Sequence, residues 1–122
     1  MPKPSRKSLV KKLDKIFSEY IRLRDNNKCV VCGTLNSPTC GHLFSRVNYS
    51  TRWDEENSYC QCAGCNYKHE YCFEPFRRVV EKKLGKESYD QLYLRHISIK
   101  KYKNYELEEL IEKYKTKLSV LV

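Results

Sequence analysis

Four cysteines stand in two pairs, Cys29-x2-Cys32 and Cys62-x2-Cys65, with 29 residues between the pairs. Two such turns can bring four thiolates around one ion at ~2.3 Å. Paired spacing of this kind points to a zinc site rather than to disulfides. With all four positions taken by protein, the zinc has no place for water, so its role is structural. Three more residues near the pairs can carry chemistry. His42 lies between them in Cys40-Gly41-His42-Leu43-Phe44, Asn57 precedes the second pair by five positions, and Asn66 follows Cys65 directly. An imidazole titrates near neutral pH and can take a proton from water. An amide oxygen can sit on a hard cation. Cys40, Cys60 and Cys72 read as small apolar packing residues.

Elements must position these groups, and the pattern supplies them. Leu9, Leu13, Ile16, Phe17, Tyr20 and Leu23 recur at helical spacing, which predicts an amphipathic helix over 8–25 capped by Ser5 or Ser8 and ended by Asp25-Asn26-Asn27. Short strands are expected at 39–44 and 58–62, with a polar loop at 45–51. Cys62–Cys65 opens a helix running to about Tyr71. Pro75 opens another, closed by Gly85. A short helix follows at 87–95, and a last one capped by Asn104 carries the stripe Leu107, Leu110, Ile111, Tyr114 and Leu118. The expected fold class is α+β: a small treble-clef or ββα-metal zinc core with an N-terminal helix before it and C-terminal helices after it. Trp53 and Phe44 are expected in the core.

The 122 residues suit one domain of three parts: a basic helix at 1–28, the cysteine core at 29–72 and a helical part at 73–122. There are 24 Lys and Arg against 15 Asp and Glu, a net charge of +9. The cysteine core is close to neutral and the excess lies on its flanks, with +6 on residues 1–28 and +4 on 73–122. Such flanks suit a polyanionic partner. No run of apolar residues is long enough for a transmembrane helix, and no apolar segment follows the basic N-terminus as a secretory signal requires.

The combination of Cys-x-x-Cys, Gly-His and Asn-x-x-x-x-Cys-x-x-Cys-Asn resembles the HNH (His-Me finger, ββα-metal) endonucleases, and most closely the phage recombination proteins of the NinG or Rap type. The residues carrying it are Cys29 to Leu35, Gly41-His42, Thr51 to Glu55, and Asn57 through Asn66, with a softer likeness to about residue 118. The resemblance implies a metal-dependent endonuclease that cuts branched DNA, such as Holliday junctions and D-loops, in the cytoplasm of an infected or lysogenic host. It gives His42 the general-base position and Asn66 a place on a catalytic divalent ion, Mg²⁺ or Mn²⁺. It gives Asn57 the task of pinning the loop behind the histidine.

HNH relatives usually carry an Asp or His metal ligand just before the histidine, where this chain has Gly41. His42 itself, Asp54, Glu55 and His69 are candidates for the missing ligand; His69 shares a helix face with Asn66. Arg46 and Arg52 are candidate phosphate contacts, and Lys11, Lys12 and Lys15 candidate DNA contacts on the first helix. Two other functions fit part of the pattern. One is a non-catalytic zinc module that binds nucleic acid through its flanks. The other is an assembly factor docking, or a homodimer forming, through the last helix.

Overall fold

A computed structural model describes residues 2–122. The element order is α1 (Arg6–Arg24), β1 (Pro38–His42), α2 (Tyr49–Arg52), β2 (Ser58–Cys62), α3 (Ala63–His69), α4 (Glu74–Leu84), α5 (Lys86–Ile97) and α6 (Asn104–Leu121). The class is α+β, with one two-stranded sheet among mostly helical elements. Strands β1 and β2 pair antiparallel, with Cys40 opposite Cys60 and His42 opposite Ser58.

The ribbon separates two apolar cores. On one face α1 packs against α6 through Leu13, Phe17, Ile21, Leu107, Ile111 and Tyr114, with Trp53 at the margin and Cys40 of β1 against it. On the other face Tyr59 of β2 joins Leu43, Phe44, Phe76, Val80 and Leu92, which brings in α4 and α5. Alternation along the strands sends neighbouring side chains to opposite faces, so one short ribbon serves both cores.

Helix α1 starts two residues earlier than the periodicity suggests. Ser5 caps it by accepting from the Ser8 backbone N–H at 3.1 Å. It ends where predicted, because Asn26 and Asn27 both adopt left-handed backbone angles (φ 57° and 55°). The loop expected at 45–51 contains the single turn α2, too short to carry an apolar stripe that a pattern search would find. Strand β1 stops at His42 rather than at residue 44, and α3 stops at His69 rather than Tyr71. Helix α5 runs longer than 87–95 at both ends. Asn104 is the first helical residue, not the cap; Lys103 precedes the helix, and its backbone N–H donates to the Glu106 carboxylate at 3.0 Å.

The α6 stripe is consumed within the chain. Leu107, Ile111 and Tyr114 are buried, and Leu110 and Leu118 are packed on the same core. That stripe is therefore occupied by the chain's own core, while Tyr105, Val120 and Leu121 of α6 remain exposed. Trp53 and Phe44 are both core residues, as expected. Leu13 is fully enclosed, so Leu13→Ala is expected to lower stability by about 2–5 kcal/mol, read as a reduced urea midpoint with unchanged metal content.

Candidate metal centre and adjoining cleft

The four paired cysteines converge. Their Sγ atoms all lie within 4.8 Å of one another, and Cys32 Sγ is 3.7 Å from Cys62 Sγ. A tetrahedral ion with ~2.3 Å bonds places its sulfurs ~3.8 Å apart, so the donor set fits a structural metal such as zinc. Each pair closes by a backbone N–H pointing at the first sulfur: Cys32 N to Cys29 Sγ at 3.5 Å and Cys65 N to Cys62 Sγ at 3.3 Å. Gly33 takes the left-handed angle that completes the first turn (φ 80°). The Val30 N–H then donates to the Cys60 carbonyl at 2.9 Å, which fastens that turn to β2.

Electrostatics at the sulfurs suit a cation. Burial opposes the Cys29 thiolate, but N–H groups of Cys32, Cys62 and Val31 outweigh it and bring the thiol down to about 6. Cys65 is pushed upward by burial and by its sulfur neighbours Cys62, Cys32 and Cys29. A divalent ion relieves that crowding of like groups. The remaining cysteines differ from one another. Cys60 is fully buried and Cys40 packs on the α1 core, where burial raises its thiol to about 12. Cys72 is exposed, contrary to the expected packing role, because it lies beyond the end of α3.

Beside this centre is an open cleft lined by His42, Phe44, Arg46, Asn66, Glu70 and Phe73, among others. His42 Nε2 is 2.9 Å from the Arg52 carbonyl oxygen. A carbonyl only accepts, so Nε2 carries the proton and Nδ1 keeps its lone pair. Burial lowers the pKa of His42; the Arg52 carbonyl and Asp14 pull it upward, and the Arg46 and Arg52 charges push it down, leaving it below the ordinary histidine value. The ring is therefore neutral at pH 7.

Asn57 is fully buried. Its Oδ1 accepts from Phe44 N–H at 2.8 Å, and its Nδ2 donates to the carbonyls of Phe44 (3.0 Å) and Thr51 (3.1 Å). It thus ties the chain just after His42 to α2. Asn66 donates through Nδ2 to Thr39 Oγ1 at 3.1 Å, which leaves its Oδ1 for a ligand.

Several candidates from the sequence are used elsewhere. His69 Nε2 donates to the Leu43 carbonyl at 2.9 Å, and its Nδ1 is buried without a partner. In this pose it fastens α3 to the end of β1 through Nε2, and the residue lines the same cleft. Asp54 pairs with Arg95 at 2.7 Å, and Glu55 with Lys117 at 2.6 Å. Arg52 is only 12% exposed along its side chain and grips Asp14 through Nε (3.0 Å) and Nη2 (2.6 Å), so it is not free for phosphate. Arg46 is more open at 57% but also reaches Asp14, at 3.0 Å. Burial opposes the Asp14 carboxylate, yet Arg52, Trp53 and Arg46 together hold it below the ordinary aspartate value.

Gly41 has a packing reason. A Cβ there would lie 2.0 Å from Oε1 of Gln61, whose side chain crosses over the glycine from β2. No ligand fits at position 41 while Gln61 holds that pose. The sequence reading overlooked Glu70, which lines the cleft one turn after Asn66. The i, i+4 spacing from Asn66 was the available signal.

The family model described as Bacteriophage Lambda NinG protein matches residues 3–122. The chain belongs to the NinG family. Among curated relatives, Protein ninG of Escherichia phage 933W is 30% identical over 91 residues, covering 71% of this chain and 45% of the relative. The proteins of the same name from Escherichia phage lambda and Salmonella phage P22 are each 29% identical over the same coverage. This NinG-family chain therefore spans less than half the length of the curated relatives it matches. No solved structure matches it. Among the described residues, no helix is long and apolar enough to cross a membrane.

The four-sulfur geometry generates a direct expectation. Native mass spectrometry of the purified chain should give one zinc per molecule. Removal by a strong chelator should abolish the cooperative thermal transition, because small domains of this kind draw folding free energy from the metal.

Proposed function

We propose that this chain is a metal-dependent, structure-specific endonuclease of the HNH type, acting on branched DNA such as Holliday junctions and D-loops in the cytoplasm of the phage host. In this reading the cysteine centre, the ribbon and α3 form a treble-clef, ββα-metal core. The observation that carries it is the pose of His42: proton on the nitrogen facing the Arg52 carbonyl, lone pair on the other, ring neutral, at a cleft shared with Asn66. That is what a general base for water requires. Asn66 Oδ1 and the Glu70 carboxylate, one turn apart, would hold a catalytic Mg²⁺ or Mn²⁺, whose charge would stabilise the phosphate and the departing oxygen. Asn57 acts by geometry, keeping the loop behind the histidine in register.

A non-catalytic zinc module that binds nucleic acid is the second reading, and one observation favours it. Gly41 supplies no ligand, and Gln61 fills the space a ligand would need. Nicking assays on a four-way junction and a linear duplex, with Mg²⁺, Mn²⁺ or EDTA, separate the two. The nuclease reading expects metal-dependent nicks in the junction. His42→Ala should then lose about 10²–10⁴ in rate while keeping zinc and DNA affinity. Asn66→Ala should lose rate but regain part of it in excess Mn²⁺. Cleavage by His42→Ala at the wild-type rate would remove the centre of the proposal.

DNA affinity should come from spread charge. Lys11, Lys12 and Lys15 are all exposed on α1. Fluorescence anisotropy across roughly 50–200 mM salt should give a steep linear fall of log K with log salt. Reversing those three charges should weaken binding to junction and duplex alike and flatten that slope.

A further inference from the structure

The proposed base is not held by its own strand. His42 ends β1, and the oxygen that orients its ring belongs to Arg52, the last residue of α2. Helix α2 has four residues and no side-chain bond at its N-cap, so it cannot stabilise itself. Contacts from other elements fix it: Ser50 Oγ donates to the His96 carbonyl of α5 at 3.1 Å, and two more contacts bear on its C-terminal end. Asn57 takes the Thr51 carbonyl. Asp14, from the middle of α1, accepts from Arg52 Nε and Nη2, from Trp53 Nε1 at 2.9 Å and from Arg46 Nη2. Arg52 Nη1 closes the loop by donating to the Arg46 carbonyl at 3.2 Å.

We infer that Asp14 is a positioning residue for His42: through the Arg52 side chain it fixes the Arg52 carbonyl, and through that carbonyl the tautomer and direction of the imidazole. The inference rests on the nuclease reading for its consequence on rate, though not for its consequence on the ring. Four donor nitrogens, from residues 46, 52 and 53, converge on one carboxylate. A charged bidentate pair of low exposure resists rearrangement better than a neutral bond. The side chains are spent on Asp14, so what Arg52 presents to His42 is its backbone. This makes α1, which contributes nothing to the lining of the cleft, part of the machinery that sets the base. It also reassigns Arg46 and Arg52 from gripping DNA to bracing the loop behind His42.

The test uses the zinc-loaded full chain, as wild type, Asp14→Asn and Arg52→Lys. Long-range proton–nitrogen NMR reads the tautomer of His42, assigned by its loss in His42→Ala, without DNA or added metal. Wild type should hold a single form with the proton on Nε2. Both variants should keep zinc and a cooperative melt but populate the other tautomer. In nicking assays kcat should fall about ten- to a hundredfold with KM nearly unchanged. A variant ring identical to wild type would overturn the inference. So would a lowered KM for Asp14→Asn at constant kcat, since the arginines would then be DNA grips released by the change. If wild type nicks nothing while Asp14→Asn still shifts the tautomer, the nuclease reading fails and the positioning of His42 by Asp14 stands. Arg52→Lys keeps the positive charge but loses the fork, so it decides the matter if Asp14→Asn does not fold.

Discussion

A lone two-stranded ribbon is marginally stable in water, and β1 with β2 is the only sheet among the described residues. Every other part of the fold acts on that weakness. At one end the cysteine centre joins the turn before β1 to the end of β2. Along β2, Arg24 and Asp25 form a clamp: Arg24 Nη2 donates to the Ser58 carbonyl at 2.7 Å, and Asp25 accepts from the Cys60 N–H at 2.8 Å. The clamp is itself a close ion pair of 2.9 Å. Packed helices then cover both faces. The register of five residue pairs is thus imposed from outside, and the site inherits its accuracy from that register.

The cleft follows from the same arrangement. His42 and Asn66 come from the end of one strand and the start of the helix after the other. They meet because the ribbon folds back and the second cysteine pair turns directly into α3. Cys62 serves twice there, as a sulfur of the centre and as the N-cap of α3. A metal held there would therefore couple its binding to the start of α3. Anything that disturbs the sulfurs also moves Asn66.

Much of this was legible in the residues because it depends on local rules. Cysteine spacing gave the four-sulfur cluster. Helical periodicity gave α1 and α6, and Pro75 with Gly85 gave α4. What escaped was set by distant partners. The Asp14–Arg52 pair joins positions 38 residues apart, so the Arg52-Trp-Asp-Glu run reads as a phosphate contact until the carboxylate is seen beside it. His69 was placed on the face of Asn66 correctly, but the Leu43 carbonyl that takes its Nε2 is visible only in three dimensions. Helix α2 lies in polar sequence and is held by partners from elsewhere in the chain: Asn57, Asp14 and the His96 carbonyl of α5. Gly41 looked like a missing ligand, whereas its cause is the Gln61 side chain on the opposite strand.

The two cores share no residue, and the ribbon stands between them. A change of volume under α6 has no direct path to the packing under α4, so substitutions in the two halves should combine without much coupling. Each half is then free to drift in composition at its own pace. The ribbon has less freedom: its side chains alternate between the two faces, so a replacement tolerated by one face must also leave undisturbed the strand that serves the other. Over long divergence, variation should collect in the helical layers and spare the thin partition between them.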